Sequence, residues 1–68
     1  MSQVVKVVEI LAQSKKGWED AAQDAVKMAG KTIKNIKSIN VNNMSAEVDG
    51  DKIVNYRINA KISFVLDK

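Results

Sequence analysis

Residues 53–66 read IVNYRINAKISFVL, and this stretch decides the fold of the 68-residue chain. Apolar and polar side chains alternate along it: Val54, Tyr56, Ile58, Ala60, Ile62, Phe64 and Leu66 are apolar, and Asn55, Arg57, Asn59, Lys61 and Ser63 are polar. Because successive side chains of a strand point to opposite faces, the pattern predicts a strand with one apolar face and one polar face.

The length of this strand indicates self-association. At about 3.3 Å per residue it spans about 46 Å, whereas a compact domain of this size has a radius of gyration of only about 11 Å. One subunit cannot cover such a strand, and a second copy is the simplest cover. Small domains usually need disulfides, a metal or oligomerisation for stability. The chain has no cysteine or histidine, so disulfides and common zinc sites are excluded.

Composition and charge narrow the class of protein further. The net charge is +3, and the basic residues are spread along a chain with only three aromatic residues. Nucleic-acid binders more often cluster basic residues with aromatics, which disfavours nucleic acid as a partner. We expect no signal peptide and no membrane span, since no apolar run approaches about 20 residues. We therefore expect a single cytoplasmic domain over residues 1–68.

The first half of the chain predicts a strand and a helix. Residues 4–11 are rich in valine, isoleucine and leucine, which favour a strand. Ser14 is predicted to be the N-cap of the helix that follows. Apolar residues recur from Trp18 to Ile36 at spacings of three and four, which predicts a helix with Gly30 in its interior, as a kink or a close contact. We interpret Trp18 as an anchor of the helix start on the sheet.

The second half predicts two paired strands. Residues 39–48 are predicted to form a strand whose apolar positions change phase, which indicates a β-bulge near Asn42-Asn43. Residues 49–52 contain Asp-Gly, a strong hairpin signal. The predicted fold is therefore α+β, with the order β-α-β-β and a three-stranded antiparallel sheet wrapped on one helix. One helix is too narrow to cover three strands, so apolar surface is left for a partner.

Candidate chemical groups are few. Histidine-based catalysis is excluded, and the glycines lie too far apart for a phosphate-binding loop. We interpret Glu9 as a charge at a sheet surface or subunit contact, paired with a lysine, rather than as a ligand. Glu47, Asp49 and Asp51 offer oxygen atoms to calcium, but they lack the EF-hand spacing, and a solvated hairpin turn is the favoured interpretation. The residues favour a binding or assembly protein rather than an enzyme.

Several segments together resemble the dodecin family, and they cover almost the whole chain in order. They are VKVVEIL at 5–11, Ser14, WEDAA at 18–22, Ala25, KTI at 31–33, YRI at 56–58 and SFVL at 63–66. The resemblance implies strand-helix-strand-strand subunits that assemble into a hollow spherical homododecamer. It also implies a small-ligand site, since many dodecins bind flavins between subunits.

The departures from this family pattern fall on the aligned flavin site. Flavin-binding dodecins place a stacking tryptophan where this chain has Ser38, an arginine-glycine pair at Ser45-Ala46, and a glutamine at Arg57. Without the ring the stacking contact is lost, and arginine has no hydrogen-bond acceptor. Trp18-Glu19 together with Arg57 is more similar to the calcium-dodecin branch, although the resemblance assigns no metal ligands.

We therefore expect a homododecamer that binds, stores or sequesters a small ligand without ordinary tryptophan-flavin stacking. The resemblance leaves the ligand open among calcium, coenzyme A and a flavin. A ring of Arg57 or Lys61 copies around a symmetry axis would suit an anionic ligand such as coenzyme A. Two alternatives remain: a riboflavin- or FMN-binding dodecin with an altered pocket, and a structural assembly with no small ligand.

Overall fold

The computed structural model describes residues 3–66, and the ends of the predicted 1–68 domain lie outside the described residues. Its four elements are β1 (Val5–Ser14), α1 (Trp18–Ala29), β2 (Ile36–Asp49) and β3 (Lys52–Val65). The predicted α+β class and element order are confirmed. Within residues 3–66, no helix has the length and apolar character of a membrane span.

Strand β3 lies in the middle of the sheet. The strand order is β1-β3-β2, and β3 is antiparallel to both neighbours. Its pairing with β1 is unbroken from Val5 opposite Val65 to Ser14 opposite Tyr56. The stretch with the clearest alternation therefore supplies the pairing surface for both other strands.

The pairing of β2 with β3 is irregular, as the phase change in its sequence predicts. One register shift lies between Val41 and Asn43, which confirms the predicted bulge. Further shifts lie between residues 36 and 38 and between residues 47 and 48. Each shift bends the strand and increases its twist, which lets the sheet curve around the helix.

A small core lies between the helix and the central strand. Its buried apolar residues are Ala21 and Ala25 of α1 and Ile58, Ala60 and Ile62 of β3. The two helix residues are alanines, so the helix approaches the sheet closely. The even-numbered side chains of β3 face the helix, and the polar odd-numbered ones lie on the opposite face, as the alternation predicts.

The helix ends earlier than the apolar spacing predicts. It stops at Ala29, and Gly30 is its C-cap rather than an interior residue. The amides of residues 31 and 32 bond carbonyls three residues back, which tightens the chain into a turn. Asn35 then takes a left-handed φ of 64°, a conformation that asparagine tolerates. Ile36, predicted to be helical, begins β2 instead.

The prediction that Ser14 caps the helix is wrong. Ser14 is the last residue of β1, and Gly17 is the N-cap. The helix start has no side-chain cap hydrogen bond. The Ser14 hydroxyl instead accepts a hydrogen bond from the Lys16 amide at 2.9 Å and donates one to the Asp20 carboxylate at 2.6 Å. The buried serine thereby fixes the strand end against the first helical turn.

The predicted hairpin between β2 and β3 is confirmed. Asp49 pairs with Lys52, which leaves Gly50 and Asp51 as the two loop residues. Gly50 has a φ of 67°, the left-handed value that type II′ hairpin turns require at the first loop position. Glycine takes this conformation without the steric cost that a Cβ atom adds.

The subunit is long, thin and incompletely covered. It measures 53 × 20 × 13 Å with a radius of gyration of 14.1 Å, against about 11 Å for a compact domain of this length. Its accessible surface is 5333 Å², where surface scaling gives about 4,200 Å² for a monomer of this mass. Met44, Val48 and Ile53 near the hairpin are each about half exposed or more. This surface has the character of one that another chain covers.

The close approach of helix and sheet yields a stability prediction. The substitution Ala21→Leu should destabilise the protein by about 1–3 kcal/mol, because the added carbons meet a packed core. Gln23→Leu, which places the same side chain on the exposed face of the same helix, should change stability by less than about 0.5 kcal/mol. Urea unfolding at one fixed protein concentration measures both. Equal midpoints for the two variants would contradict the packing described here.

Candidate functional site

The sheet face opposite the helix carries two rows of mostly polar side chains that cross all three strands. In the first row the register places Arg57 of β3 between Gln13 of β1 and Ser45 of β2. In the second row Asn59 lies between Leu11 and Asn43. Since cross-strand neighbours have Cβ atoms about 5 Å apart, the residues of each row lie within reach of one another.

These rows line a groove of about 460 Å³, large enough for part of a small-molecule ligand. None of its lining residues is aromatic: they are Leu11, Ala12, Gln13, Asn43, Ser45, Arg57, Ile58 and Asn59. The groove offers amide, hydroxyl and guanidinium groups beside one strongly exposed leucine. It is therefore suited to hydrogen bonding and charge rather than to ring stacking.

Arg57 is the only arginine of the chain and is held from both sides. Its Nε–H donates to Gln13 Oε1 at 3.1 Å. One terminal nitrogen lies 3.5 Å from Glu47 Oε1, and both side chains are about half exposed. Asn55 donates to the same Glu47 oxygen at 2.7 Å. An exposed ion pair contributes only about 0–1 kcal/mol, so this network orients Arg57 more than it stabilises the fold.

Asn59 presents an acceptor without a donor. Its Oδ1 atom is buried and has no hydrogen-bond partner among the described residues, and the residue lines the groove. Leaving a buried polar atom unpaired costs about 1–3 kcal/mol. A donor from a ligand or from a neighbouring subunit would remove that cost.

The structure brings together two of the three residues aligned with the flavin site. Ser45 and Arg57 are direct cross-strand partners. Ser38 lies elsewhere, opposite Ser63, where the two hydroxyls share a hydrogen bond. Ser63 lies six positions along β3 from Arg57, a distance of about 20 Å. Ser38 therefore joins the other two residues in one site only if two subunits contribute.

Trp18 lies on the helix face of the sheet, away from the groove. Its ring meets Tyr56 edge to face with centroids 4.8 Å apart, and its Nε1–H donates to the Ser45 carbonyl at 2.9 Å. These contacts confirm that Trp18 anchors the helix start on the sheet. They also connect the packing of the core to the backbone beneath the groove.

The acidic candidates form no cation site within the described subunit. Residues 3–66 contain no group of three or more acidic side chains placed to hold a metal ion, so Glu47, Asp49 and Asp51 do not act as a set. Glu47 instead engages Arg57. Glu9 is exposed and lies opposite Lys61 on the sheet, in agreement with its interpretation as a surface charge. The predicted pairing with a lysine is not seen, since within residues 3–66 no ion pair of 4.0 Å or less joins the two.

Sequence reasoning did not single out Gln13, Asn43 or Asn59 as groove residues. Only the register between strands reveals them as groove residues. It places Gln13 opposite Arg57, and Asn59 between Leu11 and Asn43. The alternation of β3 places Asn59 on the right face. The position of Asn43, however, depends on the bulge that precedes it. Its cross-strand partner is therefore known only from the three-dimensional structure.

Comparison with known proteins agrees with this fold. The Dodecin family model matches residues 4–67. The calcium dodecin of Mycobacterium tuberculosis is 34% identical over 61 residues, which cover 90% of this chain and 86% of that protein. A crystal structure of the calcium dodecin from M. tuberculosis, described with a novel calcium-binding site, is 35% identical with a TM-score of 0.81, covering 94% of this chain and 91% of that one.

A second structural neighbour extends the likeness. A point mutant of the T. thermophilus dodecin is 25% identical, with a TM-score of 0.93 over 98% of this chain and 100% of that one. The whole described β-α-β-β unit is therefore shared, including the long hairpin that extends beyond the helix.

The Trp18 contacts predict a graded loss of stability. Trp18→Phe keeps a ring beside Tyr56 but removes the hydrogen bond to the Ser45 carbonyl, which should cost about 0.5–1.5 kcal/mol. Trp18→Leu also removes the edge-to-face contact and should cost about 0.5–1.5 kcal/mol more. Thermal unfolding followed by far-UV circular dichroism measures both variants. If Trp18→Phe were as stable as the native protein, the hydrogen bond would contribute nothing.

Proposed function

Because this chain belongs to the dodecin family, we propose that it assembles into a hollow homododecamer and holds a small ligand for storage or sequestration. We propose binding without catalysis, and binding without the tryptophan-flavin stack. The observation that carries the proposal is the groove around Arg57, which offers charge and hydrogen bonds but no aromatic ring.

Assembly is supported by the surface that one subunit leaves bare. The hairpin extends beyond the helix, and the apolar side chains of Met44, Val48 and Ile53 on it are exposed. Burying such surface is favourable by about 25 cal/mol for each Å². Since the chain has no cysteine or histidine, association is the remaining way for so small a domain to gain stability.

The ligand class follows from the groups in the groove. Arg57 offers donors in a fixed, planar arrangement that suits carboxylate or phosphate oxygens. Asn43 and Asn59 add amide groups, and Leu11 adds an exposed apolar contact. A small amphipathic molecule with an anionic or strongly accepting group fits this set. Coenzyme A belongs to this chemical class, and a flavin would bind through its edges or phosphate rather than through ring stacking.

A calcium ion, named for the M. tuberculosis relative, is proposed to be held by more than one subunit here. Calcium takes six to eight oxygen ligands, and residues 3–66 of one chain place no cluster of carboxylates together. Around a symmetry axis, however, each copy contributes the same side chain. Any calcium site of this protein is therefore proposed to lie between subunits.

Native mass spectrometry of protein purified gently from its own cells tests the assembly. Twelve copies of the 7.5 kDa chain should give a species of about 90 kDa with closed symmetry. Additional mass on that species, lost on denaturation, would identify the ligand. A dodecamer without additional mass would support a purely structural shell, and a monomer would contradict the proposal.

A flavin titration tests whether the groove lacks stacking. Riboflavin fluorescence should be quenched only weakly by the native protein. The double variant Ser38→Trp, Arg57→Gln should bind riboflavin about tenfold more tightly, since it regains an aromatic contact and a two-way hydrogen-bonding group. Ser38→Leu with Arg57→Gln is the control that adds apolar area without the π-face of an aromatic ring. Strong quenching by the native protein would instead establish a flavin dodecin with an altered pocket.

A further inference from the structure

Arg57 lines the groove and has a counter-ion in Glu47. We propose that Glu47 is a specificity-determining residue: it occupies Arg57 in the empty protein, and an anionic ligand must displace it. The proposal rests on the proposed function, because it concerns the same groove. In this proposal, Glu47 determines how strongly the groove binds anionic ligands relative to neutral ones.

The pair is built to exchange. Glu47 Oε1 lies 3.5 Å from a terminal nitrogen of Arg57, and both side chains are about half exposed. At that distance and exposure the attraction is screened by water, so little free energy holds the two groups together. A ligand carboxylate or phosphate can make two short parallel hydrogen bonds to the same guanidinium, which is a stronger contact.

Each partner keeps a separate attachment when the pair opens. Arg57 stays oriented by the bond from its Nε–H to Gln13 at 3.1 Å. Glu47 keeps the hydrogen bond from Asn55 at 2.7 Å. Displacement therefore leaves neither the guanidinium without orientation nor the carboxylate without a donor.

The proposed selectivity follows from the balance of charge between Arg57 and Glu47. Among the described residues, no other carboxylate lies within 4.0 Å of an Arg57 nitrogen. The empty groove is thus close to neutral at Arg57, and a neutral ligand enters without disturbing the pair. An anion gains the guanidinium but must break the pair first. Removal of the carboxylate should therefore favour anions and leave neutral ligands unaffected.

Arg57 is the only arginine of the chain, which allows a direct test with an arginine-specific dicarbonyl reagent. The reagent adds to the neutral guanidine, which forms when the guanidinium releases a proton to the solvent. A paired carboxylate favours the charged form and should therefore slow the reaction. In the assembled protein, Glu47→Gln should speed the modification of Arg57 by about two- to fivefold, the range that an exposed ion pair provides. Peptide mass spectrometry follows the adduct. Asp49→Asn, which makes the same change in net charge at the hairpin, should leave the rate unchanged.

Inorganic pyrophosphate then serves as the anionic probe. It should protect Arg57 from the reagent at a two- to fivefold lower concentration in Glu47→Gln than in the native protein. Glu47→Asp, which keeps the charge on a shorter side chain, should lie between them. If Glu47→Gln were poorly assembled, the Glu47→Asp series would decide the same question.

The possible failures are distinguishable. If Arg57 reacted at the same rate in the native protein, Glu47→Gln and Glu47→Asp, the counter-ion role of Glu47 would be overturned. The same holds if Arg57 reacted in none of them. Protection at the same pyrophosphate concentration in native protein and Glu47→Gln would overturn displacement while leaving the binding groove intact. If the rates differed but pyrophosphate protected neither protein, the anion-binding groove itself, and displacement with it, would be overturned.

Discussion

The mismatch in length between the central strand and the helix is the constraint on which this structure depends. Strand β3 has 14 residues and α1 has 12. At about 3.3 Å per strand residue and 1.5 Å per helical residue, the strand spans about 46 Å and the helix about 18 Å. The helix therefore covers less than half of an apolar face that continues beyond it. Folding and association are consequently linked, because the same face that forms the core also creates the bare surface.

The bulge between Val41 and Asn43 determines which side chains of β2 lie on each face of the sheet. Without the extra residue, Met44 would lie opposite Arg57 on the polar face, and Ser45 would lie opposite Tyr56 on the helix face. With it, Met44 pairs with Ile58 and Ser45 pairs with Arg57. One inserted residue thus returns the apolar side chains to the helix side and completes the polar row of the groove. An apparent defect in the alternation is therefore a condition for the candidate site.

Much of the fold was predictable from local patterns. A few consecutive residues are enough to predict each of three features: the alternation of β3, the hairpin at Gly50 and the bulge near Asn42. The helix end was not predictable in this way, because Ile33 and Ile36 continue the helical spacing while the backbone has already turned. Ser14 resembled a helix cap by residue type, but three further residues precede the helix.

The candidate site was predictable only in part, for a related reason. Alternation places Arg57 on the polar face, but its contacts with side chains on both neighbouring strands depend on register. The unpaired oxygen of Asn59 depends on what surrounds it, which no local pattern contains. Family likeness aligned Ser38 with the same site, yet alignment carries no distance within one subunit. The separation of Ser38 from Arg57 along the sheet became visible only in three dimensions.

The two faces of the sheet are under different physical constraints. Ile58 and Ala60 are buried against the helix, where a change of volume disturbs close packing. Arg57 is about half exposed and takes its partners, Gln13 and Glu47, from the two edge strands. Those partners contribute little to the core, so their replacement changes the charge and hydrogen bonding of the groove while the fold remains. Under the proposed function, ligand specificity would therefore be set by side chains that the core does not need.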